Sequence, residues 1–395
     1  MSLNVGVGFS DGNDSYAVGA NACQEALRKL DGVNPVFGLI FTSSVYDHKK
    51  VIEGIRSVLR STPLLGASSA GEIVHGTVIN KNSVIVVLIG GKELFFSSFL
   101  KKLDPSLSLE TTGEEIGGSL KKEMGIKPDI SFMFTDVLSG IEQHKLVNSV
   151  LKSTGSTVFG GASADCFNFK ETYQYFKDEV FSGSAVIASI NGDLKYGVGM
   201  DHGMLPAGMP RVVTRSEGVN VYEIDGKPAV TLYGEYFGYK DLQRFTAEPI
   251  GGLSLSYPLG FRWKISDENI IVRAPLFLKS DGSLVCTDSI PEGSNLQIMI
   301  GDREESLKSV RRALKVAKED LGEENPSLAI LVSSAGRKYS YGSNIEDEVG
   351  EVEKTLGKKV PIVGFYGYGS ICASDKRKDN IGVFQDNAVS ICLLK

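Results

Sequence analysis

The chain has 395 residues, 42 Lys and Arg against 48 Asp and Glu, a formal net charge of -6 and a pI near 5.5. That length favours two domains, and 42% hydrophobic with 23% charged residues excludes a disordered chain. The acidic balance argues against a nucleic-acid or anionic membrane surface.

The first strand, NVGVGF (4–9), leads into a helix with Val18, Ala22, Ala26 and Leu30 on one face. Then come the apolar run PVFGLIFTSS (35–44), an amphipathic stretch, TPLLGASSAGEI (62–73) and SVIVVLI (83–89). A second copy of this order starts at LFFSSFL (94–100), with a helix capped by Thr112 and Glu115 and faced by Ile116, Leu120 and Met124. PDISFMFTDVLSG (128–140), a second amphipathic stretch, STVFGGASADC (156–166) and SAVIASI (184–190) complete it.

Residues 192–294 read differently. YGVGMDHG (196–203), RVVTRSEG (211–218) and VNVYEIDG (219–226) are short β-type runs between Gly turns. DGKPAVTLYGEYFG (225–238) reads as a helix with Pro228 in its first turn, and SLSY (254–257), NIIVRAP (269–275) and SLVCT (283–287) as strands. The third copy is expected to open on NLQIMIG (295–301), followed by a helix capped at Asp302 and Glu305 and faced by Leu307, Val310, Leu314, Ala317 and Leu321. PSLAILVSSAGR (326–337), VPIVGFYGYGSI (360–371) and NAVSICLL (387–394) close it.

The expected fold is therefore α/β and two-domain, with three βαβαββ-like repeats at about 3–91, 94–191 and 295–395 and an inserted β-rich segment. A boundary near Asp225 gives domains 1–225 and 226–395. Strands 35–41, 129–134 and 327–333 should be central and buried, because they are almost continuously apolar. Lys376-Arg377-Lys378, broken by Asp375 and Asp379, reads as a solvated turn. No apolar run reaches the roughly 20 residues of a membrane span, and no signal peptide is expected at the start. Five cysteines without a CxxC fit reduced thiols in a cytoplasmic protein.

Ligands of α/β sheets collect beyond the carboxyl ends of strands. Thr42-Ser43-Ser44, Thr135-Asp136 and Ser333-Ser334 lie there, with Arg337 just beyond. Arg337 is the fixed cation among these loops and can hold a carboxylate through two hydrogen bonds. Glu72 or Asp165 can answer an ammonium group, which would suit an amino acid. The alternative is a structural pair between Arg337 and Glu346 or another loop carboxylate. Tyr366 and Tyr368 flank Gly367 and form either a pocket wall or core. Ser68, Ser69 and Ser163 either hydrogen-bond a ligand or permit tight packing, and Ser370 completes the candidate set. A cleft between the two halves should bring the Gly66 and Gly364 loops together.

An enzyme is disfavoured. GASSAG lacks the spacing of a nucleophile elbow, there is no P-loop, and the four histidines have no metal-ligand spacing. Cys166 could act with His144 or His202, but free cysteines are usually inert.

GASSAGEI (66–73), FGGASAD (159–165), VYEIDGKPAV (221–230), SSAGR (333–337) and VGFYGYGSI (363–371) follow one another in this order. Together they resemble the FIST family (F-box and intracellular signal transduction), its N-terminal and C-terminal domains in tandem, over roughly residues 30–395. The resemblance implies a cytoplasmic sensory module for a small ligand, amino acids being proposed for many members. Serine at 370 departs from the glutamate usual there. No kinase, cyclase or methyl-accepting segment accompanies the two halves, so the signal would pass to a separate signalling protein such as a kinase or cyclase. No cofactor is expected, the alternative being haem, because some members resemble nitric oxide sensors. One axial histidine leaves no linear motif; His202, between Met204 and Met209, is the first candidate and His144 the second. An uncharacterised hydrolase or transferase is the third reading.

Overall fold

The computed structural model describes residues 3–75, 77–79, 82–91, 93–238, 251–262, 264, 269–373 and 384–395. The basic turn at 376–378 lies outside them.

Three six-stranded sheets repeat one plan. In the first, the order is Asn4–Asp11, Ser83–Gly90, Phe37–Ser43, Leu64–Ser69 and then a hairpin, Gln174–Phe176 with Glu179–Phe181. The second runs Phe95–Lys102, Ser184–Asn191, Ile130–Thr135, Thr157–Ala162 and the hairpin Ser370–Ala373 with Phe384–Gln385. The third runs Tyr196–Asp201, Val389–Leu394, Leu328–Ser334, Ile362–Gly367 and the hairpin Glu72–Val74 with Thr77–Ile79. Each unit thus hands its hairpin to another unit's sheet: the first to the third, the third to the second, the second to the first.

The expected central strands occupy the same place in all three sheets. Phe37–Ser43, Ile130–Thr135 and Leu328–Ser334 are buried along their whole length. Each lies between a parallel and an antiparallel neighbour. One face of every sheet turns to a shared core, where Phe41 stacks on Phe365 at 4.8 Å and Phe134 meets both at 5.8 and 6.0 Å. Helices cover the other face. The helix Ser15–Lys29 starts where the Asp14 side chain accepts from Tyr16 and Ala17 N–H, and it buries Val18, Ala22 and Ala26.

The third unit begins elsewhere than its sequence suggests. Its first strand is Tyr196–Asp201, paired with Val389–Leu394. Asn295–Gly301, the expected opener, pairs instead with Met204–Glu217 and Leu259–Arg262 in a fourth sheet. A Cβ on Gly6 or Gly8 would lie 2.0 or 1.8 Å from the carbonyl oxygens of Ala26 or Ala22. Gly197 and Gly199 stand in the same relation, 2.0 Å each, to Ala317 and Ala313 of the helix Arg303–Leu321. The glycines let that helix lie directly on its strand, and the inserted sheet fills the chain between the two.

This fourth sheet crosses residue 225, for Ile224 pairs with Lys227 and Glu223 with Pro228; it draws on both expected domains. Two local expectations are also corrected. Ser254, Leu255 and Ser256 of SLSY belong to the helix Gly251–Ser256, so the alternating pattern does not make a strand. The helix expected to be capped at Thr112 starts at Leu109, because Ser108 already accepts the Thr111 N–H.

Candidate functional site

Gly66, Gly160 and Gly364 mark one structural position. A Cβ there would lie 1.8, 1.9 and 1.8 Å from the carbonyl oxygens of Ile40, Met133 and Leu331 on the neighbouring central strand. The chain beyond each glycine crosses to the next sheet, and the three crossings hydrogen-bond to one another. Ala70 N–H donates to Tyr366 O at 2.8 Å, Ala164 N–H to Ser68 O at 2.9 Å and Tyr368 N–H to Ala162 O at 3.0 Å. The Gly66 and Gly364 loops therefore meet, and all three units contribute to one junction.

Most of the side chains expected to bind a ligand are gathered here but already engaged. Ser68 donates to Ala164 O at 2.8 Å, Ser163 accepts from Gln174 at 3.1 Å, and Ser370 donates to Val332 O at 2.9 Å. Asp165 holds its own loop: its carboxylate accepts the N–H groups of Phe169, Lys170 and Glu171 and the Tyr368 hydroxyl. That loop carries Cys166, Phe167 and Phe169 at φ 55°, 67° and 49°, a left-handed conformation that costs energy outside glycine. The Asp165 bonds offset that cost.

Arg337 is 1% exposed and has no donor left for a ligand. Its Nε donates to Glu348 at 2.7 Å, Nη1 to His202 O, Ser309 and Asn387 O, and Nη2 to Ser306 O and Tyr341. Tyr366 and Ser333 donate to the same Glu348 carboxylate at 2.6 and 2.9 Å. The structural pair, with Glu348 as partner, replaces the expected ligand anchor. Tyr366 is core; Tyr368 lies beyond the end of its strand and points to Asp165.

Among the described residues, Lys338 places a cation at the junction, and sequence reasoning passed it over. Its Nζ donates to Ala70 O at 2.7 Å and sits 5.4 Å from the Tyr366 ring centroid. Burial lowers its pKa, while the neighbouring Cys166 thiol and Glu72 carboxylate oppose that shift. Cys166 is exposed, with Sγ 3.7 Å from Ser69 O. Lys338 thus touches the first unit, faces the second and belongs to the third. Two signals could have pointed here. Successive helix residues diverge, so an inward Arg337 sends Lys338 to another face. The second Gly loop also needs residues 160–174 to reach its partner strand, where the other two need 66–72 and 364–370.

Glu72 is fully buried and accepts hydroxyls from Ser43 (2.9 and 3.0 Å), Ser83 (2.5 Å) and Ser69. Burial pushes its pKa up to about 7, partly opposed by those serines and by Lys338. An unfolded glutamate titrates near ~4.3. Between these values the folded chain holds the extra proton, so stability is fullest below the unfolded pKa and is lost as pH rises towards 7 and beyond. Glu72→Gln should flatten that loss, gaining on the order of 2 kcal/mol over wild type between pH 5 and pH 8. Urea midpoints across this range test it; parallel profiles would remove Glu72 as the cause.

His202 does not fit an axial haem ligand. Its Nδ1 accepts the Met204 N–H at 2.8 Å, and a further ring hydrogen bond goes to the Ile270 backbone. His144 has Nδ1 on Asp288 at 3.0 Å and lines a groove that shares no residue with the junction. Among the described residues no group of three or more His, Cys, Asp or Glu could hold a metal ion. No described helix is long and apolar enough to cross a membrane.

Family models match this chain as a FIST N domain over residues 36–227 and a FIST C domain over residues 229–373. An uncharacterized protein of Methanocaldococcus jannaschii is 27% identical over 376 residues, 85% of this chain and 70% of that protein. Uncharacterized proteins of Mycobacterium tuberculosis are 22% identical over 379 residues, 93% of this chain and 94% of theirs. Among solved structures, the chain is similar to a cyanuric acid hydrolase from A. caulinodans, at 8% identity and a TM-score of 0.41, covering 100% of this chain and 99% of that one.

Proposed function

The chain belongs to the FIST family of sensory domains, and on that premise we propose that it is a binding module, not an enzyme, for a small anionic metabolite held at the junction of its three units. The observation that carries this reading is Lys338, a half-buried ammonium beside the exposed Cys166 where the three loops meet. Burial strengthens its attraction for a carboxylate relative to a solvated lysine. An amino acid or similar carboxylate metabolite suits the site, with its anion on Lys338 and any ammonium group towards the loop carbonyls. Tyr366 under the Lys338 ammonium and the carbonyl of Ala70 keep it in place for a ligand's anion. Signalling then runs through a separate cytoplasmic protein such as a kinase or cyclase.

Calorimetry of the full chain against a panel of amino acids and organic acids tests the reading. Lys338→Met should weaken the ligand found by about 1.5–3 kcal/mol, the range for hydrogen bonds to charged groups, with the urea midpoint nearly unchanged. A ligand that binds wild type and Lys338→Met equally is held elsewhere.

A further inference from the structure

A groove of about 480 Å³ lies between the helices Leu109–Met124 and Gln143–Thr154, far along the chain from Lys338, and His144 lines it. Its Nδ1 is 3.0 and 3.1 Å from the two Asp288 oxygens, and its backbone N–H donates to Asp288 at 3.0 Å. Asp288 is fully buried, and Arg273 fixes it at 3.0 Å. Arg273 in turn donates to the backbone carbonyls of Val272 and Phe384. An ionised, immobile carboxylate on Nδ1 puts the imidazole proton there and leaves the Nε2 lone pair free.

We propose that His144 is a phosphoryl acceptor, taking the group on Nε2 from an activated donor of the acyl phosphate or phosphoramidate class. In the step, the Nε2 lone pair forms the N–P bond while the donor's P–O or P–N bond breaks. The leaving carboxylate or amine departs with that electron pair. Nδ1 keeps its proton, and the positive charge arising on the ring faces Asp288. Lys152 is the cation the groove offers a phosphoryl group, Lys145 being held by Glu142 at 2.7 Å, and Asn148 stands one turn beyond His144. Histidine is also the nucleophile the groove leaves available: the Ser149 and Ser153 hydroxyls donate to backbone carbonyls of the facing helix. This site is separate from the junction, so it stands or falls independently of ligand binding at Lys338.

The test is incubation of the full chain with potassium phosphoramidate, read by mass spectrometry and phosphorus NMR. His75, which is exposed, serves as the internal control. In the folded chain His144 should label at least about tenfold faster than His75, in an acid-labile, base-stable form on Nε2 only, since a factor of ten corresponds to a modest barrier difference. Urea should abolish that preference. Lys152→Met should slow His144 without changing His75. Asp288→Asn should allow both ring isomers if it folds. Equal rates at His144 and His75 in the folded chain, or an Nδ1 product at His144, would overturn the proposal.

Discussion

Arg337→Met should lower the stability of the chain by about 3–5 kcal/mol, the usual result of stripping one partner from a buried ion pair. Glu348 is wholly buried, and Arg337 Nε is 2.7 Å from its Oε1. Without the guanidinium the carboxylate keeps the Ser333 and Tyr366 hydroxyls, the carbonyls of His202 and Asn387 lose the Arg337 donor, and Ser306 O is left with the Ser309 hydroxyl. Those carbonyls come from the segment after the third unit's first strand, from its first helix and from the approach to its return strand, so the loss loosens the whole unit. Adding Glu348→Gln to Arg337→Met should recover part of the cost, because no charge then remains buried. Urea unfolding of the single and double variants gives the comparison. If Arg337→Met unfolds no more readily than Lys338→Met, the pair does not hold the unit together.

The difference between Arg337 and Lys338 shows what the sequence conceals. A string such as SSAGRK places both cations beyond a strand end, where ligands gather. Only three-dimensional partners decide which one turns inward, and Arg337 turns towards Glu348, a helix residue that no loop motif marks. Asp165 and Ser370 were misread in the same way: both lie at the junction, but loop backbone and strand carbonyls consume their hydrogen bonds. Glu72, expected to answer a ligand's ammonium, is instead buried against Ser43, Ser69 and Ser83, which come from separate strands and are not legible as a set in the sequence.

The fold was more legible because burial writes a continuous signal. Three apolar runs of similar length, each followed by a helix and a short strand carrying Gly66, Gly160 or Gly364, specify the repeat. The third unit's opening failed for a topological reason. A strand just before a helix normally packs on it, and Asn295–Gly301 sits in that position without doing so. The glycine pattern held the answer, since VGVG at 5–8 and YGVG at 196–199 are the same device for seating a helix on a strand. The hairpin exchange between sheets had no local signature, because pairing to another unit's strand looks the same in sequence as pairing to one's own.

Gly364→Ala should cost about 3 kcal/mol or more, at the upper end for overpacking. The added Cβ would sit 1.8 Å from Leu331 O and 2.7 and 3.0 Å from its C and N. All three are backbone atoms of a fully buried central strand, so no side chain can swing aside to make room. Relief would require the parallel strands Leu328–Ser334 and Ile362–Gly367 to separate, breaking the register from Ala329–Ile362 to Ser334–Gly367. Moving Gly364 would also shift Phe365 out of its stack with Phe41 and disturb the Ala70–Tyr366 bond that closes the junction. Gly66→Ala should behave alike, since its Cβ would meet Ile40 O at the same 1.8 Å. Gly118→Ala supplies the contrast: it lies in the helix Leu109–Met124 with nothing within 4 Å of an added Cβ. There the substitution should stabilise by roughly 0.5–1 kcal/mol through helix propensity. Thermal or urea unfolding of the three variants decides the matter. If Gly364→Ala and Gly118→Ala shift the midpoint in the same direction, the close approach of the two strands does not constrain the chain as its geometry requires.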